Sequence, residues 1–255
     1  MEKITFDTIY TTGDVVFEND GYRHFHYPEM LIQYDSNFLE FKQMPTIESF
    51  QTAESYLRAY HLKHNQNHVK FYFPANEKPG EQLLTHFNEH GYGIGYLELY
   101  AIEPNHFPRK AKHSDIDVQL VVEGNLNDYL TLSHEQDMEF GAAFAKQKIE
   151  LNKRQFKDPR IKQIIAYYQG IPVGAVDVIL TENTAEIDSL SVRESMRRKG
   201  IGSSLQQFVM DTFSDKTIIL VADGEDTPRE MYKKQNYQYF GFKYEILKVY
   251  SDSEG

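Results

Sequence analysis

Two hydrophobic periods alternate along this chain, and the points where one gives way to the other divide it into strands and helices. Residues 1–28 show little of either; Thr11-Thr-Gly-Asp14 and Asn19-Asp-Gly21 read as turns. Met30–Tyr34 and Phe38–Phe41 read as strands joined by Asp35-Ser-Asn37. Ile47–His61 has helical spacing, with Phe50, Ala53, Tyr56 and Leu57 on one side. Val69–Phe73 is a short aromatic strand, Pro79–His90 a helix closed by Gly91 in a left-handed cap, and Gly95–Ile102 a strand. The stretch 103–114 holds two prolines and a basic run without periodicity, and reads as a linker.

A second series follows. Asp117–Val122 is a strand, and Leu126–Leu132 and Phe140–Phe156 are helices separated by Ser133-His-Glu-Gln-Asp137. Residues 163–168 and 173–180 form a hairpin around Gln169-Gly170. Ala185–Val192 alternates like a strand, whereas Ile201, Leu205, Phe208, Val209 and Phe213 share a helical face. Thr217–Val221 is a buried type of strand. Thr227-Pro-Arg-Glu230 is a capping box with proline at the first helical position, opening a helix to about Gln235. Tyr239–Tyr250 closes the series as a strand with a bend near Gly241, and the acidic tail is expected to fray. The fold class is therefore α/β, arranged as an accessory unit over 1–113, linker 103–113 included, and a second unit over 114–255.

The basic turn between strand and helix, Arg197-Arg-Lys-Gly200-Ile-Gly202, suits a phosphate group. Unpaired N–H groups and the positive end of the helix dipole face outward there, and glycine leaves room for a close approach. It is not a Walker loop, because its lysine precedes the glycines, and it lacks the third glycine of the dinucleotide fingerprint. It resembles the acetyl-CoA pyrophosphate loop of GNAT-type N-acetyltransferases, Arg/Gln-x-x-Gly-x-Gly/Ala, with a Leu-x-Val strand end before it and Ser-x-Leu after it. The order of elements over 115–250 matches the family layout as well. The resemblance implies a GNAT-like acyl-CoA N-acyltransferase fold: a mixed, mostly antiparallel sheet, helices on both faces, and strands 185–192 and 217–221 parallel and splayed around the cofactor. It further implies acetyl-CoA as co-substrate, held by Leu190, Ser191, Val192, Arg197, Arg198, Lys199, Gly200, Ile201, Gly202 and Ser203. A bare strand-to-helix turn with surface cations is the bland alternative; two glycines and three cations together favour the ligand.

Acyl transfer to an amine needs a base, an oxyanion donor and an acid for the leaving thiolate. Met231-Tyr-Lys-Lys-Gln-Asn-Tyr237 resembles the family's Leu-Tyr-x-x-x-Gly-Phe, which casts Tyr232 as the acid; a packed core tyrosine is the alternative. Glu186 stands where one branch of the family places its base. Asp188 shares its strand face, and either residue serves; a solvated strand face is the ordinary reading of both. The Val192 N–H is the oxyanion donor by the same resemblance. The family's acceptor pocket draws on the first two helices, here His134, Glu135, Asp137, Phe140 and Phe144, where acids and rings suit an ammonium.

The order strand, helix, strand, helix, strand at 38–102 repeats that at 185–250, and Phe87…Gly91-Tyr92 aligns with Tyr232…Asn236-Tyr237. This resembles a tandem GNAT whose first copy has neither the basic glycine loop nor the tyrosine hydroxyl. His61, His64 and His68 invite a metal reading, but no carboxylate cluster accompanies them, and His61 and His64, three apart on a helix end, read as surface groups that cap the last turn. His24 and His26 lack a third ligand, so no metal is expected.

Composition narrows the partners. With 255 residues, 40% of them hydrophobic, 18 Tyr and 17 Phe, the chain can bury sizeable cores. It has 0 Cys, so neither disulfides nor a thiol nucleophile enter. A net charge of −11 disfavours a nucleic-acid partner and suits a cationic acceptor. Met1-Glu-Lys-Ile-Thr-Phe-Asp7 lacks the basic and apolar regions of a leader and no apolar run approaches a membrane-spanning length, so a soluble, cytoplasmic protein is expected, its oligomeric state, monomer or homodimer, open. The function expected is N-acetylation of a small amine or a protein amino group. The alternatives are a non-catalytic CoA-binding or sensing module and a transferase using another acyl-CoA.

Overall fold

The computed structural model describes residues 4–109, 111–224 and 228–251. Thr227 of the expected capping box and the acidic tail at 252–255 lie outside the described residues. The chain forms two compact units. One holds Thr5–Leu99 with the described residues of 222–227 and 240–255; the other holds Ile4, Tyr100–Val221 and Pro228–Tyr239.

The amino-terminal unit contains β1 (Asp14–Glu18), β2 (Tyr22–His26), β3 (Phe38–Phe41), α1 (Ile47–Lys63), β4 (His68–Tyr72), α2 (Glu81–Glu89) and β5 (Gly93–Ile102) as far as Leu99. The sheet order is β1-β2-β3-β4-β11-β5, with β11 (Gln238–Val249) belonging to this unit from Phe240. β3 and β4 are parallel, and β11 runs antiparallel to β4. Helix α1 buries Phe50, Ala53, Leu57 and His61, spaced by three or four residues, so one stripe faces the sheet. Phe50, Phe71, Phe73 and Phe87 make the centre of that core.

Three expectations change here. Residues 14–26, where periodicity shows no strand, form a hairpin around the expected turn at Asn19-Asp-Gly21, held by the Asn19 Oδ1, which accepts from the amides of Gly21 and Tyr22, both at 2.9 Å. Met30–Tyr34 is not a strand; 3₁₀ turns occupy Pro28–Met30 and Tyr34–Ser36. Buried Asn37 explains the coil: its Oδ1 accepts from Tyr27 N (2.9 Å) and its Nδ2 donates to Met30 O (3.1 Å) and Gln33 O (3.0 Å). One side chain thus satisfies backbone groups that a ladder would otherwise pair. His61, finally, is buried, its Nδ1 lying 2.7 Å from His68 O, and is not a surface group.

The carboxy-terminal unit contains β6 (Ile116–Leu120), α3 (Leu126–Asp137), α4 (Ala142–Lys157), β7 (Ile161–Tyr168), β8 (Ile171–Leu180), β9 (Thr184–Val192), α5 (Ile201–Thr212), β10 (Thr217–Asp223) as far as Val221, and α6 (Pro228–Lys234). Its strands lie in the order β10-β9-β8-β7-β6. The pairs from β6 to β9 are antiparallel, whereas β9 and β10 are parallel, as the family layout implies. The β7–β8 turn places Gln169 at φ 51 and Gly170 at φ 81, the left-handed pair a two-residue hairpin needs. Successive residues point to opposite faces. Ile165 and Ala175 pack under α3 with Tyr129 and Leu132. Gly174 instead faces α5, where an added Cβ would lie 3.1 Å from Ile201 Cγ2 and 3.2 Å from Leu205 Cδ1. That missing side chain lets α5 settle onto the sheet.

Helix α3 runs through Ser133–Asp137, which was expected to be a connection. Nothing in that segment breaks a helix; the break comes at Gly141, φ 100, before α4.

Candidate active site

β9 ends at Val192, a single 3₁₀ turn spans Glu194–Met196, and α5 begins at Ile201. Gly200 is the N-cap of α5, at φ 87, and offers no side chain to the first turn. Arg198 is also left-handed, at φ 64, a conformation that costs an ordinary residue about 1 kcal/mol. None of the amides of residues 198–203 donates to an acceptor among the described residues. The bonds that bound the turn are Arg197 N to Glu194 O, 3.2 Å, and Ser204 N to Gly200 O, 2.9 Å. Arg197, Arg198 and Lys199 are exposed, and the Lys199 Nζ sits 4.7 Å from the Tyr168 ring centre. At Gly202 a Cβ would meet only Val192 Cγ2 at 3.8 Å and Leu190 Cδ2 at 3.9 Å. The turn is an open cradle of N–H donors and cations, chemistry that fits a diphosphate.

Beside it, β9 parts from β10. Their paired register runs from Thr217↔Thr184 to Leu220↔Ile187, leaving Asp188–Val192 beyond it. On its other side β9 carries a bulge: Asp177 faces Asp188 but Ala175 faces Ser191, with Ser189 at φ 51. The end of the strand is tied to α3, because Ser191 Oγ donates to Gln136 Oε1 (2.7 Å) and Arg193 Nη2 lies 2.6 Å from Glu135 Oε2. Leu190, Ser191 and Val192 are half-buried along this edge.

Glu186 and Asp188 lie on the face covered by α3. Glu186, opposite Ile179, is buried; Asp188 is exposed. Opposite Asp188, on β8, stands a residue that the sequence reading missed. Asp177 is 3% exposed and accepts a 2.6 Å hydrogen bond from the Tyr129 hydroxyl. Burial pushes its carboxyl up to about 7, Tyr129 opposes that, and the Asp188 charge adds to it. Its only sequence signal was a carboxylate inside the apolar run Ile171–Leu180.

Of the acceptor candidates, Glu135 and Asp137 lie in the last turn of α3. Glu135 is exposed and paired with Arg193, while burial raises the Asp137 carboxyl. Phe140 precedes α4 at 65% exposure, and its ring lies 5.2 Å from that of half-buried Phe144. Tyr232 of α6 is half-buried, with its ring 5.1 Å from Tyr100 and 5.4 Å from Tyr237. Its hydroxyl has no partner among the described residues, and burial raises its pKa, keeping the phenol protonated. Tyr237 is buried and donates to Gln206 Oε1 at 2.9 Å. Among the described residues no group of three or more His, Asp or Glu could hold a metal ion, and no helix is long and apolar enough to cross a membrane.

A mixed sheet with a parallel pair parting beside a cationic glycine turn defines the GNAT-type fold, here in tandem. Residues 129–237 match the model of the acetyltransferase (GNAT) family, and residues 4–100 match that of a domain of unknown function, DUF5613. Through its second half the chain belongs to the GNAT-type N-acetyltransferase superfamily, and the DUF5613 region is consistent with a degenerate first copy. A functionally unknown conserved protein from Staphylococcus epidermidis is 38% identical, with TM-score 0.90 over 98% of this chain and 99% of its own. Two others share the fold at low identity. A GCN5-related N-acetyltransferase from Kribbella flavida has 14% identity and TM-score 0.64, covering 93% of this chain and 90% of its own. A tandem GNAT protein from the clavulanic acid biosynthesis pathway has 10% identity and TM-score 0.55, covering 83% and 75%. No curated protein matches the chain.

Proposed function

We propose that this protein is an acetyl-CoA-dependent N-acetyltransferase acting on a primary amine, either a small molecule or a protein amino group. Residues 114–255 carry the transfer, and residues 1–113 are a copy without a cofactor site. The observation that carries the reading is the set of unpartnered amides at 198–203, flanked by Arg197, Arg198 and Lys199 at the tip of α5. They hold the diphosphate of CoA, whose thioester supplies an activated acetyl group. Leu190, Ser191 and Val192, beyond the β10 ladder, give the pantetheine arm a strand edge to pair with.

The two substrates bind together and no acyl-enzyme forms. Asp188 or Glu186 accepts the proton of the acceptor ammonium, and the free amine attacks the acetyl carbonyl. The Val192 N–H stabilises the oxyanion, and Tyr232, protonated by virtue of its burial, gives its proton to the departing thiolate. Asp137, Phe140 and Phe144 face the acceptor. A second reading, a CoA-binding module without turnover, is favoured by the packing of the Tyr232 ring with Tyr100 and Tyr237.

Calorimetric titration with CoA tests the loop. Gly202→Glu adds bulk and negative charge where a Cβ meets only ordinary contacts, so the fold survives. The expected loss of affinity is at least ~100-fold, about 2.7 kcal/mol. Unchanged affinity removes the loop from the site. Acetyl-CoA consumption far below turnover across an amine panel selects the module without catalysis.

A further inference from the structure

We propose that Asp177 and Asp188 act as one proton-accepting carboxyl pair in the acceptor site, Asp188 meeting the amine and buried Asp177 raising the basicity of the pair from behind. The inference rests on the acetyltransferase reading above, and makes Asp177 a positioning residue that works through Asp188.

The register of β8 and β9 sets the two carboxylates directly opposite each other on one face. Opposed residues in an antiparallel pair have Cβ atoms about 4.5–5.5 Å apart. Asp188 is exposed, next to the Ser189 bulge and just past the point where β9 leaves β10. Asp177 is buried, with one oxygen engaged by Tyr129 of α3. The other groups around it are Gln163 opposite on β7, Glu186 on β9, Asp137 at the end of α3, and Lys148 on α4. Gln163 gives its Nε2 to Asn152 O at 3.1 Å and makes no hydrogen bond to Asp177. Lys148 is the cation among these groups and stands against several acids.

With Asp177 buried and the Asp188 charge facing it, ionising both is costly, and they titrate as a pair. A lone exposed aspartate has a pKa near 3.9 and is a poor base for an ammonium. Burial lifts the Asp177 carboxyl to about 7 and the Asp188 charge adds to that, so the pair contains a group that takes up a proton near neutrality. The proton count then closes. The doubly ionised pair takes one proton from R–NH₃⁺ at Asp188, and R–NH₂ forms the N–C bond as the C–S bond breaks. The second nitrogen proton leaves as the amide forms. One of the two protons ends on the CoA thiol through Tyr232 and the other passes to solvent. Asp177 touches neither substrate; it acts only through the Asp188 carboxylate opposite it.

The test compares wild type with Asp177→Asn, which retains an acceptor for Tyr129. The measurements are the pH profile of kcat/KM over a primary-amine panel and carboxyl ¹³C NMR of labelled aspartates. The expected result is a wild-type acid limb near pH 7 that moves toward pH 4 in the variant, with kcat/KM at pH 7.5 lowered about 10–100-fold. CoA affinity should be unchanged. Should Asp177→Asn not fold, Asp188→Asn, at an exposed position, serves instead: removing its charge must lower the Asp177 NMR midpoint. An unmoved acid limb, an unmoved midpoint, or no wild-type aspartate titrating between about pH 6 and 8 overturns the pair. Transfer with an unmoved limb sinks this inference alone, whereas no transfer to any amine sinks the acetyltransferase reading and the pair with it.

Discussion

The segment β3–α1–β4–α2–β5 and the segment β9–α5–β10–α6–β11 are built alike and equipped differently. Each opens with a parallel strand pair around a helix. Each second helix ends in the same way: Tyr92 N donates to Phe87 O and Tyr237 N to Tyr232 O, both at 3.0 Å, with Gly91 at φ 73 and Asn236 at φ 66. The equipment differs at the first helix's tip. α5 starts from Gly200 with open amides and three cations before it. α1 starts from Thr46, whose Oγ1 accepts from Ser49 N at 3.2 Å; Pro45, which has no N–H, precedes it, and Glu48 fills the first turn. Phe87 replaces the tyrosine hydroxyl. The architecture is thus shared while the helix tips differ, because hydrophobic pattern and helix caps hold the former and a handful of donors and cations set the latter.

The largest expected difference lies in how each half responds to acid. Burial holds His24 down to about 4, His61 to about 3 and His68 to about 4. These folded values lie below the ordinary 6.5, so their stabilisation is complete above pH 6.5 and is lost as pH falls toward 4. Asp177 has the opposite sign. Its folded value near 7 lies above the ordinary 3.8, so its contribution is most favourable below pH 3.8 and declines as pH rises through 7. Moving from pH 7.5 to 5 should cost the amino-terminal unit more than ~3 kcal/mol while the Asp177 contribution to the other unit improves. Urea unfolding with pulse proteolysis, its fragments mapped by mass spectrometry, separates the two. Parallel losses in both units would remove this contrast.

A smaller effect comes from exchanging the aromatic pair. Tyr232→Phe deletes a hydroxyl without a partner among the described residues, so stability should hold. Turnover should drop about 10–100-fold while acetyl-CoA affinity stays constant. The reciprocal Phe87→Tyr buries a hydroxyl among Phe50, Phe73 and Tyr92 and should cost about 1–3 kcal/mol without adding activity. An undiminished rate in Tyr232→Phe, measured with an amine that the wild type acetylates, returns that ring to a packing role and makes the two halves more alike.

Much of this contrast is legible in the sequence, because local signals suffice for it. Period, caps and turn residues mark the strand and helix order, the left-handed ends at Gly91 and Asn236, and the basic glycine turn. What eludes them depends on partners distant along the chain. The coil at 30–37 exists because Asn37 reaches back to Tyr27 and Met30, and apolar Met30–Tyr34 carries no sign of that. β1 is exposed along its length and so lacks alternation. Asp177 and Gly174 matter only through the register of β8 against β9 and the seat of α5, and no spacing within β8 reveals either. The helix read over Phe140–Phe156 runs through Gly141, where the break in fact falls, while Ser133–Asp137, read as a connection, continues α3 with helix-compatible residues.

The finest distinction is between the two helix tips themselves. Thr46→Ala removes the side chain that caps α1 and should cost about 1 kcal/mol, lowering the unfolding midpoint of the amino-terminal unit. It should leave CoA affinity untouched, because at that tip Thr46 takes up the Ser49 amide and the first turn carries the acidic Glu48 in place of cations. Gly200→Ala probes the other tip. A Cβ there meets nothing within 4 Å, so the cost is the left-handed backbone alone, again about 1 kcal/mol. CoA binding should weaken in step, because the cradle and the cap are the same residues. If Thr46→Ala weakens CoA binding as Gly200→Ala does, α1 is no vestige, and the first half holds a ligand of its own.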